Sequence, residues 1–105
     1  MAIYQGDQYS IPFTIRRRDE IISPEDITDV VIAIGDLARS YKEGSLSYSE
    51  GKWFFPIYKQ ETLKMPEDVS YQIQLHFGKD IIHSKEYPIK RKKILSVLRE
   101  RLQND

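Results

Sequence analysis

The chain has no cysteine among its 105 residues. Disulfide staples, thiolate zinc sites and thiol nucleophiles are therefore excluded, whatever the compartment. No apolar run approaches the roughly 18–20 residues needed to cross a bilayer. The opening "MAIYQGDQYS" has no basic stretch followed by a long apolar one, so secretion by the general route is not expected. A chain made in the cytosol and remaining soluble is the expectation. Glycine is scarce, five residues in all, and never clustered. "GDQYS" and "GDL" are isolated turns, whereas a phosphate loop needs several glycines opening a helix. No serine sits in a nucleophile elbow, and the sixteen acids fall in no recognisable catalytic spacing. His76 and His83 are the two histidines, on strands expected to pair. A metal site there would need a further ligand, a carboxylate such as Asp80 or Glu86, to converge on them. Neither an enzyme nor a bound cofactor or metal is expected.

What is present points to β-structure. Seven Tyr, four Phe and one Trp are many for this length and favour strands. With 40% apolar and 30% charged residues, the chain has the composition of one globular domain with one modest core. Formal net charge is zero but unevenly spread: residues 85–105 carry seven Lys or Arg against three acids, and residues 1–84 nine against thirteen. A basic tail on an acidic body suits nucleic acid or head-to-tail stacking of subunits. No aromatic or glycine motif accompanies the basic residues, so nucleic acid is not the expected partner.

The clearest element is "VSYQIQLHF", in which Val69, Tyr71, Ile73, Leu75 and Phe77 alternate with polar residues. Period two marks a half-buried strand with one wet face. "GKDIIHSKEYPIK" begins at a turn and returns extended, so the two read as a hairpin, with Pro88 placing the return on an edge or at a frayed end. In "YSIPFTIRR", Ile11, Phe13 and Ile15 share a face and Pro12 again suggests an edge. "TDVVIAIG" is apolar on both faces and reads as a central strand. Shorter extended pieces follow at "ARSYKE", "SLSYSE" and "KWFFPIY". "SPEDI", with Ser23 as N-cap, Pro24 next and Asp26 three residues on, and "KQETLKMP", stopped by Pro66, are helical for about a turn. Six or seven short strands at this spacing indicate a sandwich or small barrel over residues 1–91. Residues 92–105 read as an amphipathic helix.

Two clusters invite a binding role. In "KWFFPIY" Trp53, Phe55 and Ile57 share the face expected in the core, while Phe54 and Tyr58 share the other. The alternative is a stacking platform for a sugar or other ligand built on Phe54 and Tyr58. On the C-terminal helix, Ile94, Leu95, Leu98 and Leu102 fall within about a 100° arc. Such a stripe packs on its own domain, docks on a neighbour or lies on a membrane; its lack of Trp and Phe and the acids on its polar side make the membrane the weakest of the three. Arg16, Arg17 and Arg18 are followed at once by Asp19 and Glu20, as in a solvated turn with local pairing.

"LKMPEDVSYQI" is similar to the approach to the sixth strand of immunoglobulin-like sandwiches, with Tyr71 as a corner tyrosine. The usual cysteine two residues later is Ile73, and the Trp falls on too late a strand. A broader resemblance covers most of residues 3–90. "IYQGDQYSIPFTI", "EDITDVVIAIG", "SYKEGSLSY", "GKWFFPIYKQETLKM" and "YQIQLHFGKDIIHS" resemble small uncharacterised prophage proteins of Gram-positive bacteria. Those are similar in layout to the N-terminal domain of phage baseplate upper proteins, in which an opening Gly-Asp leads into a strand and a Trp-x-Phe strand precedes a Gln-Glu-Thr turn. The resemblance implies a structural or accessory virion component of the tail or baseplate, assembled in the host cytoplasm, with other virion proteins or copies of itself as partners. It assigns no residue a chemistry, and the helix after Lys90 lies outside it. The expected fold is a mainly β, antiparallel immunoglobulin-like β-sandwich of six to seven strands with a C-terminal helix. The expected function is non-enzymatic and works through protein–protein contacts. A carbohydrate- or ligand-binding sandwich is the alternative, and a small nucleic-acid-associated protein the third.

Overall fold

The computed structural model describes residues 1–103. The fold is mainly β and ends in a helix. In chain order the strands are β1 (Ala2–Tyr4), β2 (Tyr9–Phe13), β3 (Arg16–Arg17), β4 (Glu20–Ile21), β5 (Asp29–Ile34), β6 (Leu37–Ser40), β7 (Ser47–Ser49), β8 (Lys52–Ile57), β9 (Asp68–Phe77), β10 (Asp80–His83) and β11 (Tyr87–Lys92). Helix α1 (Lys59–Lys64) follows β8, helix α2 (Ser96–Gln103) closes the described chain, and a single 3-10 turn spans Pro24–Asp26. The larger sheet runs β1-β11-β9-β5-β6, with β10 also paired to β9, and is curled into a half-barrel. The smaller runs β2-β8-β7, and β3 and β4 form a separate hairpin.

Strand number and direction both depart from expectation. The described residues form eleven short strands where six or seven were expected: β1 adds to the larger sheet, β3 and β4 form a hairpin of their own, and the return after β9 is broken in two. Residues 84–86 leave the ladder: the Ser84 N–H still donates to the Ile73 carbonyl (2.9 Å), but its hydroxyl takes the Ile73 N–H (3.0 Å). That side-chain bond displaces a ladder bond, so β10 and β11 pair with different halves of β9. The sheet is also mixed. β1 lies parallel to β11, with Ile3 opposite Arg91, because the first and last strands run the same way side by side.

The alternation read from the sequence becomes the core. Val30, Ile32 and Ile34 of β5, Ile73 and Leu75 of β9, and Trp53, Phe55 and Ile57 of β8 all point between the two sheets and are buried. At about 1.5–3 kcal/mol for each fully buried large side chain, these residues supply much of the driving force for folding. The fully buried Trp53 donates its indole N–H to the Ile22 carbonyl, one residue past the β3–β4 hairpin (3.2 Å).

Each proline in a strand sits where its missing N–H does no harm. The Lys90 N–H donates to the Met1 carbonyl, so by the alternation of the ladder Pro88 faces the same way, beyond the start of β1. β11 is thus an interior strand rather than an edge, and only its Pro88 end is free. β8 pairs with β7 no further than Phe54, which leaves Pro56 with nothing to donate to on that side.

α1 is held at both ends. The Tyr58 N–H donates to Glu61 Oε1 (3.0 Å), and Glu61 Oε2 meets Arg39 Nη2 of β6 at 2.6 Å. Thr62, fully buried, donates its hydroxyl to the Asp7 carbonyl (3.0 Å). The Gly-Asp of the opening turn and the Gln-Glu-Thr after β8 are therefore two halves of one latch.

Candidate docking surfaces

The aliphatic stripe of the C-terminal segment divides. α2 starts four residues later than the 92–105 reading has it, because Lys92 still belongs to β11. Leu95 supplies the first carbonyl, accepting from the N–H groups of Leu98 (3.0 Å) and Arg99 (3.1 Å). An aliphatic residue there contributes no side-chain cap, and eight residues are marginal for a helix standing alone. Its support comes from the β1–β2 turn. Gly6, at φ +83°, lies so close beneath Leu102 that a Cβ on it would collide with Leu102 Cδ1, with Ile94 Cδ1 at 3.8 Å. Ile94 and Leu102 are half-buried there. Leu95, Val97 and Leu98 keep 73%, 61% and 50% of their surface exposed. Half the stripe is an anchor and half is free. Val97 lies off the arc read from the sequence and joins the free half.

The tail's positive charge is also smaller at the surface than its composition suggests. Arg91 is buried, its Nε donating to the Met65 carbonyl (2.9 Å), and Lys90 pairs with Asp68. Alternation with Ile89 put Arg91 on the inner face, a signal present in the sequence and masked by the run of basic residues around it.

Phe54 and Tyr58 are not brought together as a platform. Phe54 stands half-buried on the outer face of β8, between Pro12 and Ser47 in register. Tyr58 lies past the end of β8, half exposed, where the chain enters α1. The other exposed tyrosines, Tyr4, Tyr9, Tyr41 and Tyr87, belong to separate elements.

The aromatic contacts form two groups instead. Tyr41 and Tyr48 both pack on Trp53, with ring centroids 5.1 and 4.8 Å away. Phe13, Tyr71 and Tyr87 make a second row, Phe13 edge-on to Tyr71 at 5.0 Å and Tyr71 stacked on Tyr87 at 5.1 Å. No hydrogen bond among the described residues uses the Tyr71 hydroxyl, so Tyr71 is a stacking residue and not a corner tyrosine. Burial, and then the neighbouring Tyr87, push its phenol above the usual 10.0.

This second row lines an open groove of about 480 Å³ between the end of β2 and strands β9 and β10. Ile73 and Leu75 form its floor, and Arg16 and Arg17 stand at its side. The arginine run does not pair locally as expected. Arg18 and Asp19, both at positive φ, are the two turn residues of the hairpin, and Arg17 lays its guanidinium 4.7 Å from the centre of the Phe77 ring. The groove was not foreseen, because it depends on where the return breaks between β10 and β11 and on the end of β2 standing across from them.

On the outer face of the larger sheet the two histidines are joined through Gln74. Its Oε1 lies 2.7 Å from His76 Nε2 and its Nε2 lies 2.9 Å from His83 Nε2. Among the described residues no group of three or more His, Asp or Glu is placed to hold a metal. Likewise no described helix is long and apolar enough to cross a membrane.

No family model matches the chain, and no curated protein matches it. Among solved structures, the fold is similar to part of an endo-β-1,4-mannanase from Thermotoga petrophila, with a TM-score of 0.59 at 9% identity. The match covers 89% of this chain and 18% of that one, so the chain spans less than a fifth of the mannanase. At that identity the likeness is one of fold alone.

Proposed function

We propose that the protein is a non-enzymatic structural or accessory module of a phage or prophage virion, in its tail or baseplate, acting through protein–protein contacts. The observation that carries this reading is the half-anchored helix. Ile94 and Leu102 fix α2 to the β1–β2 turn, and Leu95, Val97 and Leu98 are held out to solvent on it. Leu95 and Leu98, one turn apart on the same side of the supported helix, make a docking face with Val97 beside Leu98, and burying each of the two leucines on a neighbour contributes about 1.5–3 kcal/mol. Virion parts are built by symmetric repetition, and an elongated subunit of 47 × 23 × 22 Å with the helix carrying its own basic residues suits a ring or head-to-tail contact. The fold is read more finely as an immunoglobulin-like sandwich; two facing sheets with alternating inward residues support that. The exposed tyrosines offer the carbohydrate-binding alternative no single platform.

The test is solution mass by light scattering across concentration for the full chain and for Leu95→Gln/Leu98→Gln, which keeps helix propensity. The wild-type chain is expected to assemble and the variant to remain a folded monomer. A wild-type chain that is monomeric at every concentration overturns self-assembly through α2.

A further inference from the structure

The groove beside β10 carries an inference that uses a different face from α2. The Gly35 N–H donates to the Ser70 carbonyl (3.0 Å), which turns the even-numbered residues of β9 toward β5. The Ser84 N–H donates to the Ile73 carbonyl (2.9 Å), which turns the odd-numbered ones toward β10. In an antiparallel ladder, Asp80 and Ile82 then bond to Phe77 and Leu75, while Ile81 and His83 direct their N–H and C=O groups away from the sheet. Among the described strands β10 pairs with β9 alone, and all four of its residues are exposed.

Edges of this kind are normally blunted by proline or lysine. β2, across the groove, has Pro12. β10 reads Asp-Ile-Ile-His, with Ile81 and Ile82 keeping 51% and 38% of their surface exposed. Ile82 shares the inner face with Leu75, so it extends the apolar floor of Ile73 and Leu75 out to the open edge. Phe13 and Tyr87 form the walls. A row of free backbone groups beside apolar pockets is the geometry by which a sheet accepts an added strand.

Charge selects the occupant. Arg16 and Arg17 line the groove and no Asp or Glu does. Among the described residues neither arginine has a carboxylate within ion-pair distance. The α2 of a second copy is a poor fit, since Arg99 and Arg101 flank its exposed leucine.

We propose that this flank is an acceptor site for an extended acidic peptide segment of a partner protein. The segment adds as a strand to the outer edge of β10, sends alternate aliphatic side chains against Ile82 at the mouth of the groove, and sets its carboxylates beside Arg16 and Arg17.

The probe is an end-blocked synthetic peptide, Glu-Glu-Val-Thr-Val-Thr-Val, titrated into the 15N-labelled full chain. Saturable shifts are expected at the amides of Ile81, His83 and Tyr87, with the Ile81 and His83 amides gaining protection from solvent exchange. Replacing every Val of the peptide by Thr should abolish binding. Replacing its Glu residues by Lys should weaken it by about tenfold, and Arg16→Gln/Arg17→Gln should weaken the original by about fivefold. The Ile81 N–H faces away from β9, so Ile81→Pro should keep a dispersed spectrum and lose at least about tenfold in affinity. Absence of saturable shifts at millimolar peptide overturns the proposal. So does equal binding of the all-Thr peptide, or binding without new protection at Ile81 and His83. A doubling of mass without peptide, with the same two amides protected, also overturns it, by giving the edge to a second copy.

Discussion

On one flank of the molecule the chain itself bridges the two sheets. β6 leaves the larger sheet and residues 41–46 carry it across to β7 in the smaller one. Asp29, at the start of β5, organises the crossing: its carboxylate accepts from the Ser40 hydroxyl (2.9 Å), the Lys42 N–H (2.9 Å) and the Val30 N–H (2.8 Å). Tyr41 and Tyr48 both pack on Trp53 there. On the opposite flank β2 and β10 face each other across an open groove, where the chain passes from the smaller sheet to the larger by way of the β3–β4 hairpin, with Arg17 on the Phe77 ring, and not by one short turn. Similar residue types make both flanks. What separates them is whether a short turn, with its backbone groups satisfied by a side chain, spans the gap. On this contrast the closed flank is expected to lose more stability on truncation than the open one, whose edge is the acceptor site proposed above.

The largest test of that contrast is a pair of truncations. Trp53→Ala removes a fully buried indole and leaves a cavity on the closed flank, and should cost about 3–5 kcal/mol. Ile82→Ala, on the open flank, removes a side chain that keeps 38% of its surface exposed, and should cost about 1 kcal/mol or less. Urea unfolding followed by near-ultraviolet circular dichroism gives both values. Equal losses would mean that the flanks are equally structural. Next in size is Asp29→Ala, which leaves the Ser40 hydroxyl and the Lys42 and Val30 N–H groups without their acceptor and should cost about 1–3 kcal/mol. Hydrogen exchange should then speed up at residues 41–46 more than at β10. Uniform acceleration would show that the crossing is not separately pinned.

How far these flanks were legible in the sequence follows from what set each part. Period-two alternation gave the inward faces of β5, β8 and β9, because a buried face imposes it on any strand. Pro24 after Ser23 marked the 3-10 turn correctly, and the Asp26 carboxylate accepts the Ser23 N–H at 2.9 Å. Thr62 and Arg91 were missed as core residues, since each is polar and donates to a carbonyl distant in sequence, the Thr62 hydroxyl to Asp7 and the Arg91 Nε to Met65. The division of the α2 stripe was hidden for the same reason. The arc itself was visible, but which leucine lands on the domain depends on the approach allowed by Gly6 at the other end of the chain. The open groove required the break at Ser84, where a hydroxyl replaces a ladder partner and no local pattern announces it.

The smallest effect expected distinguishes the flanks by pH. Trp53 does not titrate, but Tyr71 does, and burial followed by the neighbouring Tyr87 holds its phenol above 10.0. Tyr9 is raised in the same direction, by burial and then by Asp7. A group whose folded pKa exceeds its unfolded value contributes stability that is complete below the unfolded pKa and disappears as pH rises through the folded one. Tyr71 therefore supports the fold fully at neutral pH and loses its contribution above pH about 10. Tyr71→Phe keeps the ring against Phe13 and Tyr87 and removes the proton. Its urea midpoint, followed from neutral pH to pH about 11, should fall less steeply at the alkaline end than that of the wild type. Parallel declines would shift the cause to Tyr9 and to Lys90, whose ammonium is raised first of all by its hydrogen bond to Asp68. Peptide bound in the groove should steepen the wild-type decline, because a covered Tyr71 is harder still to ionise, and should leave the Tyr71→Phe profile as it was.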